Sequence, residues 1–432
     1  MTAAPLCLIS VDGLCASALE ERVLSLPALR GLAARGATSA GLTPSFPSVT
    51  WPCHTTLVTG ARPARHGILG NQVFDRRARR PVSHYGDRSG MRPRVETLYE
   101  AAAAVGRTTA AVCWPQTRGA GCLRDNIPEF YEQELFERYA SRPLWDELCA
   151  AGLPVDRYGE WSARHALGPL QDWLTLEIAR HILRRRPPDV LLVHFLVVDS
   201  FQHDYGVDSP EARWALEYVD RLIGSLVDEL TAVGRLEQTN VVVVGDHGFA
   251  PVERRTLPNV VLRAEGLLDV DRQGAMVDHR VWVAANGGSA HVYVAPGPQR
   301  DALVERVRER FAGAEGVGLV LGAESFGDLG LPRPEDDPTQ GDLILVAADG
   351  WYFGEHATED AAAVAPSYRG MHGHLPEDPR LRAGFVAAGP AIEGGIALAG
   401  LDHLDVAPTL AALLDVKLAA AERGPVEALL RR

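Results

Sequence analysis

Five short runs of consecutive apolar, mostly β-branched or aliphatic residues punctuate the chain. They are residues 6–11 (LCLISV), 108–113 (TTAAVC), 190–198 (VLLVHFLVV), 240–244 (NVVVV) and 384–388 (GFVAA). Unbroken apolarity, rather than alternation, marks strands buried on both faces, as in a parallel sheet covered by helices. Between the runs, apolar residues recur at helical spacing over 95–105, 174–185, 210–233 and 406–414. Strand alternating with helix predicts an α/β fold: a three-layer αβα sandwich around a mostly parallel sheet. Residues 277–352 break this rhythm. Two strands, 280–285 and 290–295, flank an Asn286-Gly287-Gly288 turn, and a helix follows at 300–311. This reads as a small α+β insertion or cap within a single domain spanning 1–432. Residues 114–165, rich in Arg, Pro, Trp and Tyr, read as a first cap over the sheet edge.

Three of the apolar runs end alike, in Asp12-Gly13, in Asp199-Ser200 and in Asp246-His247-Gly248. Ligands of open α/β sheets bind beyond the carboxyl ends of the strands. Each aspartate alone is an ordinary turn or helix-cap residue. Three converging carboxylates repel one another unless a cation lies between them, and this shifts the balance towards metal. Asp199 and His203 are four residues apart, one face of a helix if the strand gives way to one. Mixed carboxylate and imidazole donors suit zinc, with manganese or iron as alternatives. His84, His165, His181 and His279 carry no such pattern and read as structural.

Composition bounds the rest. The chain has 432 residues, 46% of them hydrophobic and 23% charged, which is ordinary globular usage. A net charge of −13 argues against a nucleic-acid polymer or an anionic membrane as partner, while leaving a small anionic substrate open. Lys417 is the sole lysine, so no lysine serves the N-terminal motifs. Six cysteines without regular spacing read as reduced thiols. With no secretory leader pattern and no membrane-length apolar run, the expected location is cytoplasmic. Oligomeric state is not encoded in any of these features.

Residues 43–71 are dense in Ser, Thr, Pro and Gly and turn helical near 53–58. Thr50 stands at that junction, where a helix N-terminus favours an anion. Position alone leaves it equally a helix cap or a nucleophile. The combination of Val11-Asp12-Gly13, the VTWPCHTTLVTG segment around Thr50, HGILGN ending at Asn71, Asp199-x-x-x-His203, Asp246-His247-Gly248-Phe249 and the HGHLPEDP segment from His372 resembles the alkaline phosphatase superfamily. Within it, the set is most similar to the nucleotide pyrophosphatase/phosphodiesterase branch, in the same order and over most of the chain.

The resemblance implies a two-metal hydrolase, with two divalent ions, Zn2+ or else Mn2+. Thr50 matches the nucleophile that forms a covalent phosphoryl-threonine. Asp199, His203 and His372 match one metal site; Asp12, Asp246 and His247, with the Thr50 oxygen, match the other. Asn71 matches an amide that contacts a phosphoryl oxygen. The implied substrate is a small phosphodiester or phosphoanhydride. A phosphomonoester or phosphonate on the same centre is the alternative, and a non-catalytic metal- or partner-binding protein the alternative of another class. His374 offers a second choice beside His372 and is read as an outer residue. Trp51 falls where relatives pack an aromatic on the leaving group. His194 stands where nucleotide-cleaving relatives carry tyrosine, which weakens the case for a stacked base. Phosphonoacetate hydrolases use lysines for the substrate carboxylate; here Arg118 or Arg124 would have to replace them. Sulfatases call for Cys/Ser-x-Pro-x-Arg, which Thr50-Trp51-Pro52-Cys53-His54 lacks.

Overall fold

The computed structural model of the protein describes residues 3–86 and 92–431. In chain order the elements that frame the site begin with β1 (Leu6–Val11), α1 (Pro27–Arg35), β2 (Ala37–Ser39), α2 (Thr50–Thr59), α3 (Leu98–Ala104), β3 (Thr109–Trp114) and β4 (Asp125–Pro128). They continue through α4 (Gly168–Arg185), β5 (Val190–Phe195), α5 (Val197–Tyr205), α6 (Pro210–Ala232) and β6 (Asn240–Gly245). The insertion supplies β7 (Val281–Asn286), β8 (Ser289–Val294), α7 (Arg300–Ala312), β9 (Val317–Gly322) and β10 (Leu343–Ala347). The chain then returns through β11 (Phe385–Ala388), β12 (Ile396–Leu398) and α8 (His403–Leu413).

Eight strands form the main sheet in the order β12-β2-β11-β6-β1-β5-β3-β4. Strand β11 runs antiparallel to both its neighbours, β6 and β2, and the other pairings are parallel. The expected double burial follows from the pleat. Cys7, Ile9 and Val11 of β1 face a core shared with Leu29 of α1, Ile178 of α4 and Leu226 of α6. Leu6 and Leu8 face the opposite core, with Leu57 of α2, Leu98 of α3 and Leu410 of α8. Helices therefore cover both faces of the sheet, and each buried aliphatic side chain contributes about 1.5–3 kcal/mol.

Strand β5 stops at Phe195, three residues short of the apolar run that predicted it. The cause is distant in sequence. Fully buried Asp172 of α4 accepts hydrogen bonds from the N–H groups of Leu196 (2.9 Å) and Val197 (3.0 Å), which opens α5. Residues 114–165 supply edge strand β4 and three short helices, whose Phe136, Leu148 and Tyr158 join the core that Ile9 faces. The insertion folds as an antiparallel sheet in the order β7-β8-β10-β9, with Val307 and Phe311 of α7 completing a core of its own.

Candidate metal centre

The three acid-terminated strands are neighbours in space. Strand β1 pairs with β5 on one side and β6 on the other, with Val11 opposite both Phe195 and Gly245. Asp12, the Asp246-His247 pair and the start of α5 therefore emerge side by side. Asp199 and His203 sit one turn apart on α5. His372 arrives from far along the chain, because Gly370–Met371 pairs antiparallel with Ala250–Pro251, just beyond His247.

These six residues fall into two groups, Asp199 with His203 and His372, and Asp12 with Asp246 and His247. Within each group the donor atoms lie within 4.8 Å of one another. His203 Nε2 and His372 Nε2 lie 3.4 and 3.5 Å from Asp199 Oδ1. His247 Nε2 lies 3.4 Å from Asp12 Oδ1 and 3.2 Å from Asp246 Oδ2. Asp12 Oδ1, Asp199 Oδ1, Asp246 Oδ2 and His247 Nε2 are buried and have no hydrogen-bond partner. Buried polar atoms are otherwise almost always satisfied, so converging orphans of this donor chemistry fit a cation. The two groups differ in access. The Asp199 side chain is 17% exposed, whereas those of Asp246 and His247 are fully buried, so the cluster opens to solvent on the Asp199 side.

Three of the donors are oriented by backbone on their other side. His203 Nδ1 donates to the Gly370 carbonyl (3.0 Å) and His372 Nδ1 to the Ser48 carbonyl (3.0 Å), which leaves each Nε2 free to ligate. Asp246 Oδ1 accepts from the N–H groups of Gly13 (3.1 Å) and His247 (3.0 Å), leaving Oδ2 for the cluster. His374 is turned away, its Nε2 donating to the Trp351 carbonyl at 2.9 Å.

Electrostatics shows the same conflict that the sequence raised. Burial, then the charges of Asp246 and Asp199, hold the Asp12 carboxyl well above its ordinary range. Burial pushes Asp246 up to about 7. Burial lowers His372 to about 4 and His203 to about 3, and keeps His247 neutral as well. Neutral imidazoles and carboxylates that resist ionising are what a cation-free cluster of ligands looks like; a divalent ion reverses the preference.

Thr50 is the first residue of α2 and only 2% exposed. The cap position belongs to Val49, so the Thr50 hydroxyl is not spent on capping. Asn71 Oδ1 accepts from the Trp51 N–H at 2.9 Å, and its Nδ2 donates to Tyr85 Oη at 3.4 Å. Trp51 is enclosed. Its ring stacks on His84 (centroids 5.3 Å apart), meets Tyr85 edge-on at 5.5 Å, and lies under Arg118. Tyr85 in turn stacks on Tyr131, 4.3 Å away, whose outer face reaches solvent. His194 is also enclosed, beneath Asp12. Its Nε2 lies 3.3 Å from Asp12 Oδ2, and its Nδ1 faces the Cys113 carbonyl (3.1 Å) and Glu129 (3.5 Å). Burial pulls His194 down, yet these acceptors together hold it well above its ordinary range.

Several residues around the centre carry no local sequence signal. Glu129 comes from the segment after β4. His54 sits one turn after Thr50, donates from Nδ1 to the Thr50 carbonyl, and lies 3.5 Å from Asp246. Ser48 holds both histidine-bearing ends of the 372–374 loop. Arg124, weighed as a stand-in for a missing lysine, is instead engaged with Asp125 and the Arg186 carbonyl.

The chain is similar to several known proteins. An uncharacterized pyrophosphatase/phosphodiesterase of Schizosaccharomyces pombe is 28% identical over 253 residues, covering 58% of this chain and 45% of that protein. The bovine bis(5'-adenosyl)-triphosphatase ENPP4 is 25% identical over 267 residues, covering 61% of this chain and 51% of that one. The chain thus spans about half the length of the curated relatives it matches. Among solved structures, human ectonucleotide pyrophosphatase/phosphodiesterase 5 superposes with a TM-score of 0.72 at 18% identity, covering 99% of this chain and 100% of that one. An inactive form of the murine counterpart, in complex with AMP, gives 0.71 at 18% identity and the same coverage. The profile of the type I phosphodiesterase/nucleotide pyrophosphatase family matches residues 6–375, and the chain belongs to that family, within the alkaline phosphatase superfamily.

Proposed function

We propose that this chain is a hydrolase that holds two divalent ions and cleaves a phosphodiester or phosphoanhydride through a covalent phosphoryl-threonine at Thr50. The observation that carries this reading is the meeting of two donor groups, with His247 and His372 rings stacked 3.7 Å apart and four donor atoms buried and unpartnered, at the helix that starts with Thr50 and whose His54 lies 3.5 Å from Asp246. Three carboxylates and three imidazoles suit zinc better than magnesium or calcium, which prefer oxygen-only shells. When bound, two such ions lower the cost of an alkoxide on Thr50 and of charge on the leaving oxygen.

The protein's own groups do the rest. Thr50 Oγ attacks phosphorus as its proton passes to solvent, and the bond from phosphorus to the leaving oxygen breaks, that oxygen taking a proton from solvent as it departs. Water then cleaves the phosphoryl-threonine, returning the hydroxyl and releasing the phosphoryl group. In this reading Asn71 Nδ2 donates to a non-bridging oxygen. Exposure on the Asp199 side gives the leaving group its exit and water its entry. The AMP bound by the murine relative supports a small phosphate ester as substrate. Among the described residues no helix is long and apolar enough to cross a membrane. The six cysteines are all unpaired, in keeping with a reducing, cytoplasmic setting.

The test is metal analysis of the purified protein together with a screen of mono- and bis-aryl phosphates, a dinucleoside polyphosphate and phosphonoacetate. Two equivalents of zinc with turnover of a diester or anhydride is the expected result. Two equivalents with no hydrolysis of any phosphorus ester would make it a non-catalytic metal-binding protein.

A further inference from the structure

The hairpin turn of the insertion reaches the residues around the centre. Asn286 ends β7 and is 3% exposed. Its side-chain amide docks on one backbone residue twice: Oδ1 accepts from the Gln72 N–H (3.1 Å) and Nδ2 donates to the Gln72 carbonyl (2.9 Å). Gln72 follows Asn71 directly. Two residues on, the Gly288 N–H donates to the carbonyl of His372 at 2.8 Å. One four-residue hairpin therefore grips the strand behind the phosphoryl-facing amide and the loop that carries a metal-group histidine.

The fit leaves no slack. A Cβ on Gly288 would sit 2.3 Å from the His374 ring, and one on Gly287 2.3 Å from the His372 carbonyl oxygen. Gly373 has φ +89°, and a Cβ there would fall 2.1 Å from the Asn286 carbonyl oxygen. From the other side, a Cβ on Gly70 would lie 2.7 Å from Asn286 Oδ1. The turn is anchored into the insertion by the Ala347 N–H, which donates to the Gly288 carbonyl, and the Phe353 N–H, which donates to that of Gly287.

We infer that the Asn286-Gly287-Gly288 turn is a clamp that fixes the Asn71 side of the centre against the His372 side, and that Asn286 is a positioning residue for metal binding and turnover. The inference rests on the two-metal reading above. Nothing in it requires the insertion to touch substrate. Removing the Asn286 amide frees Gln72 and relaxes a turn whose backbone holds His372, and outer partners of a metal site typically change affinity by about 10- to 100-fold.

The decisive comparison is Asn286→Ala against Asn259→Ala. Asn259 makes the same kind of paired hydrogen bonds, to Val283 in the insertion (2.9 and 3.0 Å), with a third to the Glu355 carbonyl (3.2 Å), and its bonds reach neither Gln72 nor the 372–374 loop. Zinc affinity is measured by chelator competition and the Co2+ visible spectrum is recorded on the full chain, with the wild type in parallel. Asn286→Ala is expected to weaken one of the two zinc equivalents about 10-fold or more and to shift the cobalt spectrum; Asn259→Ala is expected to lower thermal stability and leave both unchanged. Equal affinities and spectra for Asn286→Ala and wild type, or the same metal loss in both variants, would overturn the clamp. Gly70→Ala, which crowds Asn286 without removing it, decides in the same way if Asn286→Ala does not fold. A wild type that binds no zinc would count against the two-metal reading instead.

Discussion

Asn71 has two duties that a pair of substitutions can separate. Its Oδ1 satisfies the Trp51 N–H, one of the first-turn donors of α2 that has no partner within the helix. Its Nδ2 is the group proposed above to donate to a phosphoryl oxygen. Asn71→Ala removes both. The Trp51 residue is 1% exposed, so water does not replace the lost acceptor. Leaving a buried donor unmet costs about 1–3 kcal/mol. For a chain of 432 residues the unfolding entropy is about 0.9 kcal/mol/K, so the melting temperature should fall by about 1–3 °C. Loss of one oxyanion donor should lower kcat about 10²- to 10³-fold. Asn71→Asp keeps an oxygen acceptor for the Trp51 N–H and replaces the donor with negative charge. It should retain most of the stability and lose at least as much turnover. The assay is urea and thermal unfolding of the zinc-loaded proteins beside steady-state hydrolysis of a bis-aryl phosphate. If both variants lose stability equally, the Trp51 bond is not what Asn71 contributes to folding. If Asn71→Asp turns over at the wild-type rate, the donor role is wrong.

Thr50→Ala should abolish turnover while retaining metal, measured by zinc content and hydrolysis; undiminished turnover would rule out the threonine nucleophile. Because burial pushes Asp246 up to about 7, an incoming ion must displace a proton below that pH. Zinc affinity should therefore climb at least tenfold per pH unit up to 7, with Asp12, also raised by burial, adding to the slope and His203 and His372 adding none since they are neutral above about 4. Chelator competition from pH 5.5 to 8.5 checks this, and a flat profile below 7 would contradict it. His403 is fully buried and lowered to about 3 by burial, its Nδ1 accepting from the Ser45 N–H. A folded-state value below the ordinary 6.5 gives stability that is complete above 6.5 and lost as pH falls, about 1.4 kcal/mol by pH 5.5. His403→Gln should lose that much of the acid sensitivity in urea unfolding at pH 7.5 and 5.5; an unchanged sensitivity would exclude the residue as its source.

The sequence by itself determined the layers and the place of the chemistry. Double burial writes itself as unbroken apolar runs, so β1, β3, β6 and the sandwich around them were legible, as was the acid at the end of each central run. The i, i+4 spacing of Asp199 and His203 and the Asn-Gly-Gly hairpin are also local patterns, set by helix and turn geometry that neighbours in sequence share. What only the tertiary structure decided depends on contacts between distant residues. Asp172 ends β5 early because its carboxylate caps α5 from 24 residues away. His372 joins Asp199 because two short strands near 250 and 370 pair. Trp51 and His194, at positions where relatives carry substrate-facing aromatics, are enclosed by Tyr85, His84, Arg118 and by Asp12, Cys113 and Glu129, none of which lies beside them in sequence. And the turn that sequence could name, Asn286-Gly287-Gly288, acquires its place against Gln72 and His372 only when the insertion folds back over the centre. Periodicity records which face of an element is buried; it carries no information about which remote backbone group that face will meet.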